Sequence, residues 1–186
     1  MILLIVGIVI FLGIHALPWH QGLRQQLHNK LGEKAYKGIY SLIALIGLVL
    51  IIIGKGYAPF QSLWMPPTWG RTAAVPLMLV ALILLPAANM PMSNIKRIVR
   101  HPMLIGIILW ACAHLLANGD LASLILFASF GVYSLLAILS ANSRKPKSPI
   151  AAVPITKDIM VIVAGTIAFA LFLFAHRFLF GVPVIV

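Results

Sequence analysis

Residues 1–18 read MILLIVGIVIFLGIHALP, and residues 100–116 read RHPMLIGIILWACAHLL. Apart from Arg100, neither stretch contains Asp, Glu, Lys or Arg. Because an α-helix needs about 20 apolar residues to cross the hydrocarbon core of a bilayer, both stretches predict membrane-spanning helices. Both also contain histidine, an ionisable residue that is costly in hydrocarbon and therefore suggests a functional site. The first stretch has no basic n-region and its positive charges follow it, so we expect a retained span rather than a cleaved signal peptide.

The composition of the whole chain points to the same class. Of its 186 residues, 62% are hydrophobic and 9% are charged, whereas a soluble domain is typically about 45–50% apolar. We therefore predict an all-α integral membrane protein, with one transmembrane domain over residues 1–186 and the lipid bilayer as its partner. The net charge is +11, and we expect its basic residues to orient the helices and to contact anionic lipid. Nucleic acid is therefore not an expected partner.

Hydrophobic runs predict six transmembrane helices, over residues 1–18, 37–54, 72–90, 102–117, 120–140 and 159–180. Eleven basic residues fall in the first, third and fifth loops and three on the other side. The positive-inside rule makes the larger group cytoplasmic, which puts both termini outside a multi-pass inner (cytoplasmic) membrane protein. The eleven are Arg24, Lys30, Lys34, Lys37, Lys96, Arg97, Arg100, Arg144, Lys145, Lys147 and Lys157, and the three are Lys55, Arg71 and Arg177. Residues 141–158 are interpreted as a cytoplasmic linker.

Three histidines lie in the apolar segments: His15, His101 and His114. Imidazole is a common ligand of transition metals and of haem iron. In a regular helix His101 and His114 are about 20 Å apart and face directions about 140° apart, so they do not bind one metal together. The predicted topology places His15 and His101 at the same membrane face and favours that pair. A His15–His114 pair requires helix tilt, or a first helix that stops near Pro18.

The carboxylates offer little for catalysis. Asp120 follows Asn118 and Gly119 and is predicted to be the N-cap of the fifth transmembrane helix. Glu33 and Asp158 are expected to lie in basic loops. Because the sequence has no pair of carboxylates within a span, no phosphate-binding loop and no pair of cysteines, protease, ATPase and zinc-hydrolase functions are disfavoured. No catalytic residue is assigned.

The motifs resemble those of the NnrU family. The resemblance is carried by RHPMLIGIILWACAHLLANGDLASLILF at residues 100–127, by GIHALP at residues 13–18 and by the six-helix layout. It covers at least residues 1–140, and its most specific part is Arg100-His101-Pro102 followed at fixed spacing by Trp110 and His114. The family is linked by name to nitrite and nitric-oxide metabolism and includes the plant 15-cis-zeta-carotene isomerase.

The resemblance implies a haem b held by histidine. His15 and His114 would be the metal ligands, with His101 and Arg100 also in the cofactor-binding site. It further implies either redox-dependent cis–trans isomerisation of a lipophilic polyene, which would be a small-molecule partner, or a role in denitrification. The implied ligand pair differs from the pair that topology favours, and both stay open at this point.

Two other functions compete with that interpretation. A membrane S-adenosylmethionine-dependent methyltransferase of the isoprenylcysteine type uses an RHPxYxG segment. Here Arg100, His101, Pro102 and Gly106 fit that pattern, but Leu104 replaces the tyrosine. A non-catalytic b-type cytochrome is the other alternative, and such an electron carrier is expected to keep both axial positions of its iron filled.

Overall fold

The computed structural model describes residues 1–144 and 151–184, and its regular structure there is helical, as predicted. The helices are α1 (Ile2–Ala16), α2 (Gln21–Leu31), α3 (Glu33–Gly56), α4 (Gly70–Asn89), α5 (Asn94–Val99), α6 (Pro102–Ala117), α7 (Leu121–Arg144) and α8 (Thr156–Phe180), with a 3-10 turn at Leu17–Trp19. In these ranges five helical segments are long and apolar enough to cross a membrane, and α6 is a shorter apolar helix of 16 residues. These five segments and α6 overlap the six predicted transmembrane segments. The count of six spans and the outward termini remain predictions.

Two connections are more regular than the sequence pattern indicated. Most of the first predicted loop is the helix α2, and α3 already begins at Glu33. The expected linker over residues 141–158 is also shorter, because α7 continues to Arg144 and α8 starts at Thr156. Its residues 145–150, including Lys145 and Lys147, lie outside the described residues.

Contacts divide the described chain into two compact units. The first comprises Met1–Met65 and Gly119–Arg144, and the second comprises Pro66–Asn118 and the described residues beyond 150. In the first unit α1 packs closely on α3, since a Cβ at Gly47 would lie 2.8 Å from the backbone nitrogen of Phe11. Small residues permit such close approach between helices in membranes. The single domain predicted over the whole chain remains a prediction.

Asp120 joins the end of α3 to the start of α7 within the first unit. Its Oδ1 accepts from Lys55 Nζ at 3.1 Å and from the backbone N–H of Ser123 at 2.9 Å. The second bond confirms the predicted N-cap of α7. Burial opposes ionisation of Asp120, but the hydrogen bonds from Ser123 and Lys55 outweigh it and hold its pKa below the ordinary value of 3.8.

The second unit packs α4 against α6 and α8. A Cβ at Gly106 of α6 would lie 3.1 Å from the carbonyl oxygen of Ala81 in α4. Asp158, in the first turn of α8, accepts from the backbone N–H of Ile95 at 2.8 Å and from Asn94 Nδ2 at 2.7 Å. It is only 4% exposed. Its expected place in a basic loop is therefore wrong, because this carboxylate is used to tie α8 to the start of α5.

Large apolar side chains face outward on both units. Ile52 and Leu139 in the first unit and Phe178 in the second are 63%, 65% and 86% exposed. In water such surfaces would favour aggregation, whereas lipid tails are as apolar as leucine. The outward apolar surfaces are those of a protein that contacts the lipid bilayer.

Candidate functional site

His15 lies in the last turn of α1, in the first unit. Its Nδ1 is 2.6 Å from the carbonyl oxygen of Phe11, one turn earlier. A carbonyl oxygen only accepts hydrogen bonds, so Nδ1 carries the hydrogen and, in the neutral ring, Nε2 carries the lone pair. The imidazole is therefore held in the tautomer that presents Nε2 as a ligand atom.

Two aromatic rings contact this imidazole. The Phe11 ring lies 4.3 Å from it between centroids, and Tyr40 of α3 approaches it edge-on at 5.5 Å. Phe130 of α7 stacks on Phe11 at 5.6 Å. Rings from α1 and α3 thus contact the imidazole, and a ring from α7 packs behind Phe11.

His114 occupies the equivalent position in α6, in the second unit. Its Nδ1 is 2.8 Å from the carbonyl oxygen of Trp110, again four residues earlier, and the two rings lie 5.1 Å apart. Its own carbonyl oxygen accepts from the side-chain Nδ2 of Asn118 at 2.8 Å and from that residue's backbone N–H at 2.9 Å. The same tautomer follows, with the lone pair on Nε2.

The two histidines share one local construction. Each lies in the last turn of an apolar helix and follows an aromatic residue by four positions, as Phe11-x-x-x-His15 and Trp110-x-x-x-His114. Each donates Nδ1–H to the carbonyl of that aromatic residue. Histidines that bind metals almost always donate the other ring N–H in this way, because the bond fixes the ring and raises its basicity.

His101 and Arg100 lie at the start of α6 rather than beside His114. The helix places thirteen residues, or about 20 Å, between the two histidines, as the sequence predicted. Arg100 has a positive φ of 62°, and the backbone N–H of His101 donates to the carbonyl of Val99 at 2.6 Å. This is the rarer and more strained form of γ-turn. A non-glycine residue held in such a conformation often marks a functional position.

A metal ion bound only by protein side chains usually needs three or four ligands close together. Among residues 1–144 and 151–184 no group of three or more His, Cys, Asp or Glu side chains could hold such an ion. A haem differs in this respect, because the porphyrin supplies four ligands and the protein only one or two.

The fold and these side chains define an all-helical membrane protein with histidines at the ends of its apolar helices. The family model described as NnrU protein matches residues 3–184, so the chain belongs to the NnrU family. This confirms the family that the motifs around His15, Arg100 and His114 indicated. No curated protein and no solved structure matches the chain.

Sequence reasoning missed the residues in the environment of His15. Phe11, Tyr40, Phe130 and Tyr133 were not singled out, although all four lie in the environment of His15. The repeated aromatic-x-x-x-His spacing is a signal that could have found Phe11, since it brings two residues together on one helix face. The tyrosines come from other helices, and no sequence spacing identifies them.

Proposed function

We propose that this NnrU-family protein binds haem b and that His15 and His114 supply the iron ligands. The observation that supports the proposal is the shared hydrogen bond from each Nδ1 to the carbonyl four residues earlier. This bond leaves the lone pair of each neutral imidazole on Nε2, and a lone pair is what binds haem iron. Two imidazoles are enough for iron inside a porphyrin, whereas a bare metal ion usually needs three or four protein ligands.

His114 is favoured over His101 as the second ligand. His101 is the N-cap residue of α6 and lies next to a strained turn, whereas His114 has the same construction as His15. Arg100 and His101 take a supporting role in the cofactor site. A basic residue there would suit the carboxylate side chains of the porphyrin, since such groups pair favourably with guanidinium.

The surroundings of His15 favour a lipophilic polyene as the substrate. Phe11, Tyr40 and Phe130 offer ring surface, and no carboxylate is in ring or hydrogen-bond contact with the imidazole in the described residues. A polyene dissolved in the bilayer would reach such a site without entering water. When bound, haem supplies an iron whose coordination depends on its oxidation state. The proposed reaction is redox-dependent cis–trans isomerisation, in which these residues orient the imidazole and exclude water.

The ligand assignment is tested with single variants purified in detergent after expression with ample haem precursor. His15→Ala and His114→Ala should each lose or shift the Soret band of the visible spectrum. His20→Ala is the matched control, because His20 is an exposed histidine of the same unit as His15, and its spectrum should match the wild type. If His101→Ala abolishes the band while His114→Ala keeps it, the proposed pair is wrong.

The reaction is tested on the same preparations. A cis polyene in detergent is incubated with reduced or oxidised wild-type protein, and the isomers are separated by chromatography. Reduced protein should convert the cis isomer, and oxidised protein and His15→Ala should not. Binding of carbon monoxide to the reduced protein should accompany activity, since an iron with two permanent ligands is typical of electron transfer. Haem-loaded protein without conversion in either state would contradict the isomerase function and leave haem binding intact.

A further inference from the structure

The end of α1 leaves the carbonyl of His15 in need of a donor. Helix α1 stops at Ala16 and continues as a 3-10 turn over Leu17–Trp19. The last four carbonyls of an α-helix have no partner within that helix. In α1 the carbonyl of His15 is one of them, and Pro18, three residues later, has no N–H to offer. An unpaired carbonyl is costly in the membrane, so a donor from elsewhere is expected at this point.

Tyr133 of α7 supplies that donor. Its hydroxyl lies 2.8 Å from the carbonyl oxygen of His15. The Tyr133 ring also stacks on Trp19 at 5.3 Å between centroids, with planes only 18° apart. One side chain therefore contacts the turn at two places, on either side of Pro18.

A second residue of α7 fixes the same turn. Arg144 Nη1 donates to the carbonyl oxygen of Pro18 at 2.7 Å. Tyr133 and Arg144 are eleven residues apart on α7, which is about three helical turns. The last turn of α1 is thus held from outside by α7 as well as by its own backbone, and His15 lies within the held segment.

We propose that Tyr133 is a positioning residue for His15: its hydroxyl fixes the backbone of the last turn of α1, so that Nε2 keeps its direction toward the iron. This inference rests on the proposed haem function. Two hydrogen bonds act on different parts of His15. The carbonyl of Phe11 orients its ring, and the hydroxyl of Tyr133 orients the backbone that carries it. The carbonyl of His114 likewise accepts from a side chain, the Nδ2 of Asn118, in addition to that residue's backbone N–H.

The test compares two hydroxyl deletions in the full-length protein with haem bound. Tyr133→Phe removes the donor to His15, and Tyr57→Phe removes the hydroxyl of a tyrosine that is 82% exposed. Haem loss is followed as transfer from the ferric protein to excess haem-free myoglobin. Losing one such bond should speed haem loss about 5- to 30-fold in Tyr133→Phe, while Tyr57→Phe should match the wild type.

The visible spectrum separates positioning from general destabilisation. In Tyr133→Phe a fraction of the ferric haem should become high-spin, and added imidazole should restore the low-spin spectrum. Equal haem-loss rates and equal spectra in Tyr133→Phe and Tyr57→Phe would overturn this inference while haem binding by the wild type stands. A wild type without haem would overturn the proposed function and this inference together.

A second replacement keeps the test decisive if Tyr133→Phe does not fold. Incorporation of 3-fluorotyrosine at position 133 keeps the ring and makes the hydroxyl a stronger donor. Because its hydroxyl is the stronger donor, haem loss from that protein should be slower than from the wild type, and its spectrum should stay low-spin. Equal or faster haem loss would contradict a role for the hydroxyl as donor to His15.

Discussion

Replacing Gly47 by alanine should push α1 away from α3. An added Cβ would lie 2.8 Å from the backbone nitrogen of Phe11 and 2.9 Å from its Cα, where ordinary contact begins at 3.4 Å, so the helices must separate by about 0.6 Å. Helix backbone cannot rotate out of the way as a side chain can. Gly38, on the same helix, is a matched control, because a Cβ there meets nothing within 4 Å.

Comparing Gly47→Ala with Gly38→Ala isolates the cost of forcing the added Cβ against α1. Alanine is more favourable than glycine in a helix interior by about 0.5–1 kcal/mol, and this gain is common to both variants. Overpacking costs typically about 1–3 kcal/mol. The free energy of unfolding of Gly47→Ala should therefore lie about 1–3 kcal/mol below that of Gly38→Ala, and Gly38→Ala should equal or exceed the wild type.

Unfolding of the purified proteins in detergent is followed by circular dichroism as the mole fraction of a denaturing detergent is raised. Because Phe11 carries the carbonyl that holds His15 Nδ1, Gly47→Ala should also release haem faster than Gly38→Ala. Identical unfolding curves for the two variants would refute the close α1–α3 contact from which the magnitude is derived.

Two further predictions concern the ends of helices. Arg100→Gly should be more stable than Arg100→Ala by about 1–2 kcal/mol, because both lose the guanidinium but only glycine adopts the positive φ of 62° without strain. Equal thermal midpoints for the two variants would contradict a strained backbone at this position. The pKa of Asp120 is depressed below 3.8 in the folded protein, so its contribution to stability is complete above that pH and is lost as the pH falls through the folded value. Unfolding curves between about pH 5 and pH 2 should therefore show a smaller loss of stability for Asp120→Asn than for the wild type, and parallel losses would show that Asp120 is not ionised in this network.

The apolar spans were predictable because hydropathy alone reports them. Residues 102–117 were predicted and observed with the same bounds, since Pro102 suits the first turn of a helix. Asp120 was recognisable as an N-cap because the cap is a local interaction. Both successes depend on residues that are neighbours in sequence.

The remaining features depend on contacts between distant residues. Asp158 was misplaced in a loop because its partners, Asn94 and Ile95, lie some sixty positions away. The donor from Tyr133 to His15 spans 118 positions and has no sequence signal. The helix α2 was missed because its composition is polar and offers no apolar run. The histidines could be chosen as candidate site residues from sequence, but the hydrogen bonds that fix their tautomers could not be predicted.

The most direct measurement is the haem and iron content of the wild-type protein. The protein is purified in mild detergent from cells supplied with a haem precursor, and haem is quantified as its pyridine complex alongside iron and protein. Because each of two histidines presents Nε2 from the same hydrogen-bonded construction, we expect about one b-type haem per chain, held by two protein ligands on one iron. Colourless protein without iron would contradict the account.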